Sequence, residues 1–93
     1  GDGYENVTVG CTVENQKQAD YRLSLFRNLP VRHKNIICQP LIGEVNLSSY
    51  LRGVELVVAG GESDKNARPL DYDWVLKIRE QCVGANVHFQ FHQ

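Results

Sequence analysis

The sequence predicts an α/β fold, in which a four-stranded parallel sheet of βα units forms half of a (β/α) barrel with its helices mainly on one face. Its apolar runs are continuous rather than alternating, as in strands that are buried on both faces. Helical patterns separate these runs, and three of the runs end in polar residues, as strands do at the ligand-binding edge of a parallel sheet. The 93 residues fit a single domain, 1–93.

Four apolar runs are the predicted strands: Val7 to Val13, Lys34 to Cys38, Glu55 to Ala59, and Val87 to Phe91. Right-handed crossovers between neighbouring parallel strands would place every helix on the same face of the sheet. The other face is then uncovered, because closing a barrel takes about eight strands.

The first helix is predicted to begin at Asn15, with Gln18 three residues later as in a capping box, and to end before Pro30. Its inward stripe has helical spacing and is widened by two further leucines. The stripe consists of Ala19, Leu23 and Phe26, with Leu25 and Leu29 beside them.

The second connection holds only a short predicted helix, Leu47 to Leu51, opened by Asn46 and closed by Gly53. The last helix has Asp71 as its cap, and Gly84 stands where a left-handed capping residue is expected. Its inward residues are Trp74, Val75, Ile78 and Cys82.

The composition excludes several classes of function. A net charge of -1 gives no broad basic surface for nucleic acid. No apolar run approaches the ~18 residues of a membrane helix and no signal peptide is visible, so we expect a soluble, cytoplasmic protein. The cysteines are odd in number and widely spaced, and they are interpreted as buried thiols (Cys11, Cys38 and Cys82). Without any methionine, the chain is expected to be a piece of a longer protein.

Candidate ligand-binding residues follow the first three strands and are expected to share one edge of the sheet. They are Glu14, Asn15, Gln39, Gly60, Gly61, Glu62 and Ser63, together with Arg68 in the next loop. For Asn15 the role of a helix cap is preferred, whereas for Glu62 ligand binding is preferred to a loop-stabilising pair with Arg68. The two glycines would allow close approach of a ligand.

The last strand alternates polar and apolar residues, which places His88, Gln90 and His92 on one face. A histidine pair of period two is an unspecific metal pattern, so a solvated strand face is preferred and no metal site is expected. His92 joins the candidate ligand-binding residues.

Four ordered sequence blocks carry a family resemblance. They are Val9 to Gln16, Cys38 to Gly43, Val58 to Ser63 with Ala67 to Asp71, and Phe89 to Gln93. In these blocks the chain resembles the C-terminal half of a phage-associated family that is labelled by phage gene products thirty-seven and sixty-eight. The resemblance implies a radical-SAM-like partial barrel whose full-length members carry an iron-sulfur cluster and S-adenosylmethionine. Their reaction is not established, and the cluster's cysteine motif lies outside this chain.

Two departures from the family pattern change charges at strand ends. Gln39 stands where the family has glutamate, and His92 stands where it has lysine. Either the ligand differs or the family's chemistry is lost in this member.

Two functions follow from these observations. The first is a ligand-binding C-terminal half of a radical-SAM-like protein, without catalysis of its own, whose partner is the missing N-terminal half. The alternative is a stand-alone binding or assembly module that covers its open sheet face by self-association.

Overall fold

A computed structural model describes residues 7–62 and 69–92. Its elements alternate between strands and helices along the chain. They are β1 (Thr8–Thr12), α1 (Gln16–Phe26), β2 (His33–Cys38), β3 (Val54–Gly60), α2 (Tyr72–Gly84) and β4 (His88–His92), with a short 3-10 helix at Ser48–Tyr50. The four strands form one sheet in the order β1-β2-β3-β4, and every pair is parallel. The predicted α/β fold with a four-stranded parallel sheet is therefore confirmed.

The core lies between the sheet and the helices. Cys11, Ile36, Val57 and Phe89 form one row across the sheet. Their side of the sheet packs against buried residues of both helices, which belong to the same hydrophobic cluster. The helical members of that cluster are Ala19, Leu23, Phe26, Val75, Ile78 and Cys82. Both helices therefore cover the same face of the sheet.

Helix α1 begins as the sequence predicts, but its apolar stripe is narrower. Asn15 Oδ1 accepts a hydrogen bond of 2.9 Å from the Gln18 N–H. Leu25 is 61% exposed and Leu29 is 42% exposed, so neither widens the inward face. Leu25 lies two residues after the buried Leu23 and thus on the far side of the helix. Leu29 lies beyond the end of the helix at Phe26.

Helix α2 has the predicted N-cap but a different C-terminal cap. The Asp71 carboxylate accepts a hydrogen bond of 2.9 Å from the Asp73 N–H. Gly84 is the last helical residue, and the left-handed conformation is adopted two residues later by Asn86, with φ of 59°. Asparagine tolerates this region because its short side chain can bond locally. The left-handed cap was therefore predicted two residues too early.

The second connection contains a single 3-10 turn, Ser48–Tyr50, within the predicted helix Leu47 to Leu51. Asn46 Oδ1 accepts a hydrogen bond of 2.9 Å from the Ser48 N–H, and Gly53 has φ of 80°. The predicted caps are nevertheless displaced, because Leu47 is the N-cap without a side-chain hydrogen bond and Leu51 is the C-cap, two residues before Gly53.

Candidate functional site

The candidate site lies at the carboxyl edge of the sheet. Thr12 pairs with Ile37, Ile37 with Val58, and Val58 with Gln90. Two residues further along the chain from each of them lie Glu14, Gln39, Gly60 and His92. Gly60 and His92 pair in the ladder, whereas Glu14 and Gln39 follow the last residues of β1 and β2. We call these four residues the edge row.

The edge row belongs to the face of the sheet that the helices leave uncovered. Side chains alternate between faces along a strand, and the core-facing residues of β2 are Lys34, Ile36 and Cys38. Ile37 and Gln39 therefore point to the opposite face. The structure thus brings together the strand ends that the sequence predicts as neighbours.

Protein atoms fill the space beside Gly60. A β-carbon added there would lie 2.9 Å from Cδ and 3.0 Å from Nε2 of Gln39, and it would also clash with the His92 carbonyl oxygen. Beside Gly61, the nearest such atom is the Leu70 β-carbon at 3.5 Å. Packing within the protein therefore explains the glycine at 60, whereas the sequence suggested room for a ligand.

Glu14 and Asn15 have different roles. The Asn15 side chain caps α1, which is the local role that the sequence left open for it. The Glu14 N–H donates to Gln18 Oε1 at 2.8 Å, and the Glu14 carbonyl accepts from the Ile42 N–H at 3.2 Å. The backbone of Glu14 is thus fixed from two sides, and among the described residues no hydrogen bond reaches its carboxylate.

The segment after β2 joins the ends of its two neighbouring strands. The Leu41 N–H donates to the Gly60 carbonyl at 2.8 Å, and the Ile42 N–H bonds to Glu14. The Gln39-Pro40 peptide bond is cis. Sequence reasoning missed Leu41 and Ile42 because their contribution comes from the backbone, which leaves no mark in residue type.

Three further candidates follow β3. Glu62 is partly buried and lies two residues after the end of the strand. Ser63 and Arg68 lie outside the described residues, and so does the predicted pairing of Glu62 with Arg68.

Most of the uncovered face is polar. Its apolar residues are Ile37, Leu56 and Val58 of the two central strands, and its polar ones are Thr8, Thr12, His33, Asn35, His88, Gln90 and His92. An open pocket of about 500 Å³ lies next to the amino edge. It is lined by Thr8, Asn35, Glu55, Leu56, His88, Phe89 and Gln90. The most exposed large apolar side chains of the described residues lie elsewhere, on the helices and on chain segments outside the strands.

Cys38 and Cys82 are poorly placed to ligate an iron-sulfur cluster. Cys38 and Cys82 are fully buried, and none of the three cysteines forms a disulfide. Burial is the main reason that the pKa of Cys38 is raised to about 12, and the neighbouring thiols of Cys82 and Cys11 make smaller contributions. Burial also raises the pKa of Cys82 to about 11. Metals and clusters bind thiolates, so these protonated thiols are poor ligands. Residues 7–62 and 69–92 contain no group of three or more acidic, histidine or cysteine side chains that could hold a metal ion.

Neither helix in the described part of the chain has the length and apolar character needed to cross a membrane.

Comparison with known proteins identifies the family. Neither the curated proteins nor the solved structures include a match to this chain. One family model, described as protein of unknown function (DUF5131), matches residues 2–93. This match covers nearly the whole sequence, and the chain therefore belongs to the DUF5131 family.

Proposed function

We propose that this chain is the C-terminal ligand-binding half of a radical-SAM-like partial barrel, and that a polar small molecule binds at its edge row. The observation that carries the proposal is that Glu14, Gln39 and His92 lie at the carboxyl ends of three strands of one parallel sheet, or within two residues of them. In βα proteins, this end of the strands is where ligands bind.

The polar lining of the uncovered face supports the same proposal. A sheet face that packs on a protein core is apolar, whereas this face carries threonine, asparagine, glutamine and histidine side chains around a narrow apolar centre. Such a lining suits a water-filled cavity in which a polar ligand is held by a few hydrogen bonds.

The side chains of the edge row define the chemistry of the ligand. The Glu14 carboxylate accepts hydrogen bonds and favours a cationic group. The Gln39 amide both donates and accepts, and His92 adds an imidazole. S-adenosylmethionine, which the family resemblance implies for the parent protein, carries an ammonium, a sulfonium and several hydroxyl groups. The chain would bind and orient such a ligand, and it would not catalyse a reaction alone.

A binding experiment on the natural protein that contains this chain tests the proposal. S-adenosylmethionine is the probe, and its Kd is measured by equilibrium dialysis for Glu14→Gln and for a matched control, Glu80→Gln, on the exposed surface of α2. We expect Glu14→Gln to weaken binding about tenfold, because it removes a charge-assisted contact, and the control to change it less than about twofold. Equal Kd values for the two variants would refute the proposal.

Self-association through the uncovered face is the second candidate function. Ile37 and Leu56 are only partly buried there, and together with Val58 they form an apolar strip that a second copy could cover. Sedimentation velocity of the 93-residue chain decides this point. A dimer that Leu56→Lys converts to a monomer would support it, whereas a monomer at all concentrations would exclude it.

A further inference from the structure

A second pocket lies at the opposite, amino edge of the sheet. It has a volume of about 550 Å³ and is lined by Arg27, Asn28, Lys34, Ser49, Tyr50, Arg52 and Gly53. Its three cationic residues come from the end of α1, the start of β2 and the turn before β3. No carboxylate is among these lining residues, although the whole chain has a net charge of -1. The pocket therefore concentrates positive charge that the composition does not reveal.

Lys34 is the most unusual of these cations. It is only 7% exposed, whereas lysine is almost never buried unless it is paired. Its Nζ donates a hydrogen bond of 2.9 Å to the Arg27 carbonyl oxygen. No carboxylate in residues 7–62 and 69–92 forms a salt bridge with it. The carbonyl group at the end of α1 offsets part of the cost of burying this charge, but it supplies no counter-ion.

The other two cations are placed to act with Lys34. The Arg27 guanidinium carbon lies 6.0 Å from the centre of the Tyr50 ring. The position of the Tyr50 ring is fixed by a hydrogen bond of 2.8 Å that its hydroxyl donates to Asp20 Oδ1. Arg52 is exposed and precedes Gly53, whose φ of 80° makes the sharp turn into β3. Arg27 is thus positioned by an aromatic ring, and Arg52 lies on a tight turn at the rim.

We propose that this pocket binds the diphosphate group of a small phosphorylated molecule. Guanidinium groups match phosphate oxygens with two parallel hydrogen bonds, and an ammonium group adds a point charge. A diphosphate would supply the counter-charge that Lys34 does not find among the described residues, and the volume of the pocket falls within the range of small-molecule sites. This site is separate from the edge row, so it stands or falls independently of the proposed function.

Isothermal titration calorimetry tests this inference. The 93-residue chain is titrated with inorganic pyrophosphate at low ionic strength. Arg52→Gln is the main variant because Arg52 is exposed, so its loss should not unfold the protein. Arg79→Gln, which removes the same charge from the exposed surface of α2, is the matched control. We expect saturable 1:1 binding that Arg52→Gln weakens about tenfold and Arg79→Gln less than about twofold.

Two results would overturn the inference. One is the absence of saturable pyrophosphate binding. The other is equal weakening by Arg52→Gln and Arg79→Gln, which would indicate a diffuse effect of net charge. Backbone amide shifts on titration provide a second measurement. They should be confined to residues 27–28, 34 and 49–53, and shifts confined to the edge row would contradict this site.

Discussion

The side-chain amide of Gln39 covers Gly60, with its Cδ 2.9 Å from the point that a β-carbon on Gly60 would occupy. The His92 carbonyl oxygen borders the same point. The ends of β2, β3 and β4 therefore meet over a residue that has no side chain, and the geometry of the candidate site depends on that residue.

Gly60→Ala should destabilise the protein by about 3 kcal/mol, because the added methyl group would overlap a backbone oxygen that cannot move freely. Urea unfolding measures this change. Gly84→Ala is the matched control, since a β-carbon there meets nothing within 4 Å. In a helix, that exchange should stabilise the protein by about 0.5 to 1 kcal/mol. Equal effects of the two substitutions would contradict the packing at Gly60.

Asn15→Ala should lower the free energy of unfolding by about 1 kcal/mol, because the Gln18 N–H loses its side-chain acceptor. Asn15→Asp keeps an acceptor oxygen at this position and should retain most of the stability. Thermal or urea unfolding of both variants distinguishes them. If Asn15→Ala were as stable as the unmodified chain, the capping role would be wrong.

Asn86→Ala should cost about 1 kcal/mol, because alanine lacks the local hydrogen bonding that lets asparagine adopt positive φ. Asn86→Gly should be close to neutral, since glycine enters this region without steric cost. Urea midpoints of the two variants give the comparison. A more stable Asn86→Ala than Asn86→Gly would contradict the left-handed turn after α2.

The stability of the protein should fall in alkaline solution through its buried thiols. The pKa of Cys38 is raised from 9.0 to about 12, so the folded protein keeps this proton after the unfolded chain has lost it. The resulting stabilisation is complete below about pH 9 and is lost as the pH rises towards 12. Over that interval, one such group contributes a slope of up to about 1.4 kcal/mol per pH unit.

Urea unfolding at pH 8 and pH 10.5 of the unmodified chain and of Cys38→Ala measures the contribution of this thiol. Cys38→Ala should be less stable at pH 8, because it leaves a cavity, but it should lose less stability on going to the higher pH. The comparison is needed because lysine and tyrosine residues titrate over the same interval. Identical pH dependence of the two proteins would show that Cys38 is not the cause.

The sequence predicts the number and order of the strands because apolar segments of strand length are separated by helical patterns. Burial on both faces holds only for β3, whereas β1, β2 and β4 alternate between more and less buried residues because one face of the sheet is uncovered. The caps Asn15 and Asp71 could be predicted because each accepts a hydrogen bond from a residue two or three positions further along its own helix. Where a boundary depends on how far a helix continues, the sequence is less informative. Both Gly84 and Asn86 suit a left-handed position, and only the folded helix distinguishes them.

The edge row could be predicted in part, because polar residues directly follow the apolar runs. The contact of Gln39 with Gly60 could not, since it depends on the register between two strands. The basic pocket was missed altogether. Arg27, Lys34 and Arg52 are separated in sequence and balanced by acidic residues elsewhere, so only the crossover between β2 and β3 brings them together. The feature of the sequence that could have indicated this pocket was Lys34, a lysine at the start of an apolar run.

The strictly sequential strand order has a consequence for how such a protein can grow. Each strand pairs only with its nearest neighbours along the chain, and every crossover stays within two adjacent units. Another βα repeat can therefore be added beside β1 or β4, whether by gene duplication or by design, without breaking any existing ladder.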